Sequence, residues 1–186
     1  LALAQQFFLT GRFEEATTVG RKYLETNPND PDAWQLIGLI AFKAERFEAA
    51  EKMIQRAISV DGSKASYFIN LGTLYRRTGR NLEAIHAFTK AILIDDNDAD
   101  AHAQLAELLL KKGEKKQARG AMSKAIQLGQ HSSAICEKAA AMLVKFGEHR
   151  EANKFYQRAI ELRTELERQR QEEKLKTPEI VVQSLS

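Results

Sequence analysis

The sequence predicts an all-α protein built from repeated pairs of helices. Three observations predict this fold: the composition, a repeat with a period of 34 residues, and apolar residues spaced three and four apart within each repeat. Of the 186 residues, 44% are hydrophobic and 28% are charged, with only 3 prolines and 10 glycines. This composition supports a packed core and argues against disorder and against a turn-rich β sandwich.

The repeat is visible when the chain is read in steps of 34 residues, so that residues 34 apart form a column. Three columns keep one kind of residue through five successive units: a turn residue, usually glycine, then alanine, then a large aliphatic residue. They are Gly11, Glu45, Gly79, Gly113 and Gly147; Ala16, Ala50, Ala84, Ala118 and Ala152; and Leu24, Ile58, Ile92, Ile126 and Ile160. A fixed period of this length is typical of supersecondary units stacked side by side.

Each unit is predicted to contain two helices, as the third unit shows. Apolar residues recur every three or four places between Phe68 and Tyr75, which is the helical spacing. Gly79 interrupts this pattern, and a glycine after a helix can adopt the positive φ that ends it. A second apolar stripe then runs from Leu82 to Ile92. The pattern therefore predicts a helix, a short turn and a second helix.

Polar turns separate the units and provide the ends of the helices. In the first of these turns, Asp30 can accept hydrogen bonds from the free amides of the next helix, and Pro31 suits the first helical turn. Gly38 and Gly72, with alanines in later units, are small enough to let the two helices of a unit approach closely. A bulky residue at Ala84 is expected to cost about 1–3 kcal/mol by overpacking.

Several of these columns carry a family resemblance. The residues concerned are Trp34, Ile37, Gly38, Ala50 and Ala57 in the second unit, and Phe68, Leu71, Gly72, Tyr75, Ala84, Phe88 and Ala91 in the third. Over about residues 1–160 the pattern resembles the tetratricopeptide repeat family. The resemblance implies a right-handed superhelical solenoid in which the first helix of each unit lines a concave groove. His102 and Cys136 depart from the aromatic residue found at Trp34.

The expected organisation is a solenoid over residues 1–164, an extension of its last helix over 165–176, and a tail or linker over 177–186. The units are expected near 1–30, 31–64, 65–98, 99–132 and 133–164, and the first of them is truncated. The extended last helix is expected to cap the core with its first half. Because the chain begins at Leu1 inside a helical pattern, we expect it to be a segment of a longer protein.

No pattern of residues indicates a catalytic, cofactor or metal site. The sequence contains no serine-hydrolase, phosphate-loop or zinc-protease motif. The single cysteine, Cys136, excludes an internal disulfide, and it shares a column with Trp34 and His102, which favours a packed structural role for all three. We therefore expect no catalytic residue, cofactor or metal in this segment, while the full-length protein is left open.

One acidic cluster imitates a calcium loop. Asp96, Asp98, Asp100 and Glu107 have the spacing of calcium ligands in such a loop. The loop needs a glycine where Ala101 stands, and the residues that follow Ala101 are expected to be helical already. Turn residues and helix caps explain these acids better.

Along the first helices the sequence offers a candidate partner-binding groove. Its residues are Phe8, Gln35, Leu39, Phe42, Lys43, Ile69, Asn70, Thr73, Arg76, Arg77, Glu107, Leu110, Lys111, Val144 and Lys145. Two specialisations of the family do not match. The clamp for chaperone tails needs a particular set of Lys, Asn and Arg on the early helices, where the comparable places hold Leu1, Gln5, Gln35, Leu39 and Asn70. The asparagine ladder of O-linked N-acetylglucosamine transferases is matched only by Asn70.

Two columns of this groove carry its chemistry. The basic rail consists of Lys43, Arg77, Lys111 and Lys145. The apolar track beside it, which Arg76 interrupts, consists of Phe8, Phe42, Leu110 and Val144. An extended or helical segment with acidic and apolar residues would suit this surface. The alternative is that the rail is only a solvated row of charges, since lysine is common at this place in the family.

The leading functional hypothesis is a protein-interaction scaffold that binds a peptide or partner segment in the groove. Two alternatives stay open: a substrate-recognition arm of a larger enzyme such as a bacterial glycosyltransferase, and a self-assembling adaptor of a secretion, pilus or membrane-associated complex. A homo-oligomer would then form through the last helix or through the apolar tail residues Ile180, Val181 and Val182.

Other partner classes are not indicated. The net charge of +3 is too small to indicate a nucleic-acid partner. No apolar run approaches the roughly 20 residues that span a bilayer. The single cysteine and the lack of a glycosylation motif favour the cytoplasm, with the periplasm and membrane association left open.

Overall fold

The structure is a computed structural model that describes residues 1–176 of the chain. Within that range it consists of ten α-helices and contains no β-strand, which confirms the predicted all-α class. The helices are α1 (Ala2–Leu9), α2 (Phe13–Thr26), α3 (Pro31–Lys43), α4 (Phe47–Val60), α5 (Ala65–Arg77), α6 (Asn81–Ile94), α7 (Ala99–Lys112), α8 (Lys115–Leu128), α9 (Ser133–Lys145) and α10 (His149–Lys176). The predicted tail, 177–186, lies outside the described residues.

Consecutive helices form five hairpins, from α1–α2 to α9–α10. Turns of two or three residues join the helices within a hairpin, and turns of four residues connect successive hairpins. Each second helix packs against the first helix of the following hairpin, and first helices also meet, α3 with α5 and α7 with α9. The array is therefore a solenoid in which neighbouring hairpins bury one another's apolar faces.

The turn inside each hairpin contains a residue with a left-handed backbone. Four of these residues are Gly11, Gly79, Gly113 and Gly147, with φ between 76° and 91°. The fifth is Glu45 at φ 56°, the only non-glycine residue with a positive φ within residues 1–176. A side chain in this conformation costs about 1–2 kcal/mol, which glycine avoids. The geometry of the turn therefore explains the glycine column and makes Glu45 a strained exception.

The core lies where the two helices of a hairpin approach each other. Ala50, Ala84 and Ala118 are completely buried. At Gly72, an added Cβ would lie only 3.0 Å from three ring carbons of Phe88, which is itself completely buried. Helices α5 and α6 are thus as close as this small residue allows, in agreement with the packing reason given for the small columns.

Aspartates in the turns cap the helices that follow them. The Asp30 Oδ1 atom accepts hydrogen bonds from the amides of Asp32 at 2.9 Å and Ala33 at 3.1 Å. Pro31 is the first residue of α3, so the predicted cap is confirmed. The Asp98 Oδ1 atom accepts in the same way from the amide of Ala101, at 2.8 Å, and begins α7. This contact assigns a structural role to one acid of the calcium-like cluster.

The column that departs from the family pattern is packed to different extents. Cys136 is 3% exposed, and burial raises the pKa of its thiol. His102 is 6% exposed, with its Nε2 atom 3.0 Å from Asp96 Oδ1. Both therefore have the predicted structural role. Trp34 also packs against the core, beside Leu24 and Ile37, but it is only half-buried, and its indole nitrogen donates to the Pro28 carbonyl at 2.8 Å.

The last helix covers the end of the array only in part. Ala152 and Ala159 of α10 are buried against α9, whereas Tyr156 is 38% and Ile160 is 53% exposed. No helix in the described part of the chain combines the length and apolar character needed to span a bilayer.

Candidate interaction groove

The basic rail lies at one end of the first helices. Lys43, Arg77 and Lys145 are the last residues of α3, α5 and α9, and Lys111 is the penultimate residue of α7. All four side chains are exposed. A cation in the last turn of a helix interacts favourably with the partial negative charge of that terminus. The rail therefore has a structural role of its own, in addition to any role in binding.

Most of the rail carries uncompensated charge. Arg77 forms an ion pair with Glu45 at 3.4 Å, with side chains 63% and 71% exposed, and such solvated pairs stabilise little. Lys43, Lys111 and Lys145 form no ion pair or hydrogen bond within the described residues. Arg76 is exposed and equally without an ion pair there. This end of the groove is therefore positive.

The apolar track is partly used for packing. Phe8 and Phe42 are half-buried, and each ring lies 5.9 Å from the first phenylalanine of the next helix, Phe13 or Phe47. Val144 is the most open member, at 41% exposed. The two phenylalanines of the track are therefore shared between packing within their own hairpins and the surface.

Gln35 is placed differently from the other groove residues. Its side chain is 7% exposed, and neither amide atom has a hydrogen-bond partner within the described residues. The expectation that it offers an accessible polar group is therefore corrected. The remaining candidates are half-buried: Leu39, Ile69, Asn70, Thr73, Glu107 and Leu110. The Thr73 hydroxyl donates to the Ile69 carbonyl at 2.9 Å, which occupies its hydrogen atom within α5.

The opposite ends of the first helices carry paired charges that sequence reasoning missed. Lys64 Nζ lies 2.7 Å from Asp32 Oδ2, and the Tyr67 hydroxyl donates to the same carboxylate, so α3 is bound to the start of α5. Asp100 of α7 pairs with Lys138 of α9. We call these five residues the paired edge. The two aspartates lie in one column, but their cations do not, so the repeat gives no signal for the pairs.

The two aspartates of the paired edge have lowered pKa values, whereas its tyrosine stays protonated at neutral pH. Hydrogen bonds from Lys64 and then Tyr67 lower the pKa of Asp32. Burial is the main cause that raises the pKa of Tyr67 to about 12. Burial also acts to raise the pKa of Asp100, but Lys138 and further favourable contacts outweigh it and lower that pKa. At neutral pH this edge therefore carries opposite charges that compensate each other, unlike the basic rail.

The calcium-like acids are used elsewhere. Asp96 Oδ2 lies 2.7 Å from Lys124 Nζ, while Asp98 caps α7 and Asp100 belongs to the paired edge. Within residues 1–176, no group of three or more His, Cys, Asp or Glu side chains is placed to hold a metal ion. The chemistry that this face offers is non-covalent: exposed cations, partly exposed apolar rings and a compensated row of acids.

Family models and solved structures of known proteins match this chain. Models of the tetratricopeptide repeat match residues 1–40, 36–96 and 75–142, which together span 1–142. No curated protein matches the sequence. Among solved structures, PilF of Pseudomonas aeruginosa has a TM-score of 0.79 at 20% identity, covering 86% of this chain and 73% of its own.

Two further structures share the fold at low sequence identity. MamA from Desulfovibrio magneticus RS-1 has a TM-score of 0.77 at 16% identity, covering 88% of this chain and 93% of its own. YrrB, described as a tetratricopeptide repeat protein with an unusual peptide-binding site, has a TM-score of 0.70 at 18% identity, covering 87% and 84%. The family models, the five helix hairpins and the shared solenoid lead to one conclusion: the chain belongs to the tetratricopeptide repeat family.

Proposed function

We propose that the chain is a protein-interaction scaffold whose concave groove binds an acidic and partly apolar segment of a partner. The observation that supports this most directly is the row of exposed, uncompensated cations, Lys43, Lys111 and Lys145, beside the apolar track. Cations without partners attract acidic ligands at little desolvation cost, and the apolar edges add contact area.

The geometry of the solenoid suggests the spacing of the ligand's acids. Neighbouring packed helices lie about 8–10 Å apart, and a segment in the extended polyproline II conformation advances about 3.1 Å per residue and turns every third side chain to the same face. An extended peptide that crosses the first helices therefore meets one rail residue about every third residue. We expect the preferred ligand to carry Asp or Glu at this interval, with apolar residues between them. The peptide-binding site named for YrrB, which shares the fold, lends support to a peptide ligand.

The test is a binding titration with a labelled peptide that carries Glu at every third position and Leu or Phe between. The combined variant Lys43→Glu, Lys111→Glu and Lys145→Glu should weaken binding by about tenfold or more at low salt. A matched control reverses three exposed lysines on second helices, namely Lys52, Lys90 and Lys154. Both variants change the net charge equally, so equal weakening by the two would contradict a groove-specific rail.

A second candidate function, self-assembly through the last helix, is favoured by one observation. Tyr156 is 38% exposed, whereas Phe88 in the same column is completely buried in a cluster that includes Ala101 and Leu108 of the following hairpin. Tyr156→Lys with Ile160→Lys should then reduce the mass measured in solution by light scattering, and an unchanged mass would contradict assembly through α10. The tail residues Ile180 to Val182 lie outside the described residues, and the enzyme-arm alternative stays a prediction.

A further inference from the structure

A large cleft lies outside the concave groove, between the second helices α2 and α4 and above α3. Its volume is about 600 Å³, and its apolar walls include Phe13, Leu24, Trp34, Ile37 and Met53. No residue of the candidate groove lines it. The volume falls in the range of small-molecule and side-chain pockets, which is about 300–1,000 Å³.

One small residue contributes to the size of the cleft. Ala41 lines it, and every other member of this column is large: Phe7, Tyr75, Leu109 and Leu143. In the next hairpin Tyr75 is 7% exposed and occupies the corresponding place. The cleft there is correspondingly smaller, about 420 Å³. The space beside Ala41 is therefore where neighbouring hairpins place a large side chain.

Two other hairpins show a recurring arrangement around this column. In each, an arginine lies over an aromatic ring that stands five residues earlier in the chain. The same arginine binds a glutamate that stands three residues later. The two sets are Phe7, Arg12 and Glu15, and Tyr75, Arg80 and Glu83. The guanidinium carbon is 4.3 Å from the ring centroid in the first set and 4.2 Å in the second. The ring and the carboxylate together fix the arginine.

The second hairpin contains the arginine, Arg46, but neither the aromatic ring nor the glutamate. Ala41 stands five residues before Arg46, and Ala49 stands three residues after it. All three residues line the cleft. Arg46 makes no ion pair, side-chain hydrogen bond or ring contact within residues 1–176. A guanidinium is therefore present at the cleft without the ring and the acid that hold its counterparts.

The acid that approaches from the preceding hairpin is missing as well. Arg80 Nη1 of the third hairpin donates at 2.5 Å to Oε2 of Glu51, which belongs to α4 of the second hairpin. The corresponding residue for the cleft is Thr17, and Arg21 stands where Gln55 stands one unit later. The middle of the cleft therefore has two cations and no carboxylate.

Acids border the cleft only towards its ends. Glu14 lies one turn before Thr17 on α2, and Glu25 lies one turn after Arg21. This distribution favours a single acid at the centre of a ligand over a long acidic run, because a run would meet Glu14 and Glu25.

We infer that the cleft is a second docking site, which receives an aromatic side chain and an adjacent carboxylate from a segment of a partner protein. The ring occupies the space beside Ala41 and lies under Arg46, and the carboxylate binds Arg46 and Arg21. The ligand thus supplies what Tyr75, Glu51 and Glu83 supply around Arg80. This site does not depend on the concave groove.

The only tryptophan of the chain makes the site directly observable. Trp34 lines the cleft, so its fluorescence reports occupation of this site. The probe is a capped peptide, acetyl-Gly-Phe-Glu-Gly-amide. We expect a saturable change in Trp34 emission with this peptide. Peptides with Lys in place of Glu, or Ala in place of Phe, should bind about tenfold more weakly or worse.

Variants that rebuild the neighbouring arrangement should close the site. Ala41→Tyr with Thr17→Glu copies the third hairpin, and Ala41→Leu copies the fourth and fifth and provides a milder version. Both should abolish the titration. Lys43→Glu, at the rail, should leave it unchanged, which separates this site from the groove.

Any one of the following results would overturn the inference. These are an absence of any saturable Trp34 response, equal binding of the Lys-containing peptide, and undiminished binding to the folded Ala41→Leu variant. Equal affinity for free phenylacetate would also overturn it, since the site would then recognise a small acid and not a protein segment.

Discussion

Arg80 Nη1 lies 2.5 Å from Glu51 Oε2, so the turn before α6 is bound to α4 of the preceding hairpin. Two hairpins further along, the same two columns contain Glu148 and Arg119, which again form an ion pair. The charges are exchanged between the two pairs. The same two columns therefore join neighbouring hairpins by an ion pair in both places, with the cation in one column in the first pair and in the other column in the second.

This exchange can be tested directly. The substitutions Arg119→Glu and Glu148→Arg together reproduce the arrangement of Glu51 and Arg80, including a glutamate three residues after the arginine, which is Glu151 here. Each single variant places like charges together and should lower the Tm, while the double variant should regain most of the loss. The measurement is thermal unfolding of all four proteins at low salt. Additive losses would contradict a specific pair.

The stability that Glu51 contributes should depend on pH. The hydrogen bond from Arg80 is the main cause that lowers the pKa of Glu51 below its ordinary value of 4.5, and the Tyr75 hydroxyl adds to the effect. A carboxyl whose pKa is lower in the folded state stabilises that state above the unfolded pKa, and this contribution is lost as the pH falls through the folded pKa.

Wild type should therefore be more stable than Glu51→Gln in urea at pH 7, and the difference should shrink steadily below about pH 4.5. In an Arg80→Met background the same substitution should show much less pH dependence. A difference between wild type and Glu51→Gln that is constant from pH 7 to acid would contradict this account.

Gln35→Leu should stabilise the protein. Both amide atoms of Gln35 are buried without a partner in the described residues, and its column contains Leu1 and Ile69. Removing an unsatisfied buried amide should raise the free energy of unfolding by about 1 kcal/mol. Gln104→Leu is the matched control, because Gln104 Nε2 donates to Asp100 Oδ2 at 3.0 Å and this bond would be lost. Urea unfolding should show a gain for the first variant and a smaller gain or a loss for the second.

Glu45→Gly should also stabilise the protein. Glu45 has φ 56° in a column of glycines, and its pairing with Arg77 is solvated. Relief of the strain, offset by the greater freedom of glycine in the unfolded chain, should give about 0.5–1 kcal/mol. Glu48→Gly, three residues later in α4, should destabilise instead, because it places glycine inside a helix. Equal effects of the two substitutions would show that the turn carries no strain.

The fold could be predicted from the repeat because contacts between adjacent helices determine the residue type in each column. Ala84 is buried against its own hairpin, and Gly79 is required by a turn only a few residues long. Such requirements recur in each unit and are therefore visible in one sequence. Trp34 packs against the cluster of Leu24, Ala33 and Ile37 but is only half-buried, as is Phe68 in the same column. The repeat thus predicts where an aromatic ring stands, but not what fraction of the ring stays exposed.

For the candidate site, the sequence predicted the positions of the residues but not their interactions. The rail residues share a column, so their common place at the ends of the first helices follows from the repeat. Whether a charge is compensated depends on side chains in other columns, as with Lys64 and Asp32 or Arg77 and Glu45. Individual contacts of this kind leave no periodic trace, and the paired edge was accordingly missed.

The row of first helices has two unlike ends. At the paired edge opposite charges draw neighbouring helices together, whereas at the rail like charges push them apart. Helix spacings of about 8–10 Å are comparable to the screening length of about 8 Å in physiological salt and well below the roughly 30 Å at 0.01 M. The solenoid should therefore splay at one of these ends in dilute buffer and contract as counter-ions accumulate, so that its curvature becomes a property of the surrounding electrolyte as well as of the chain.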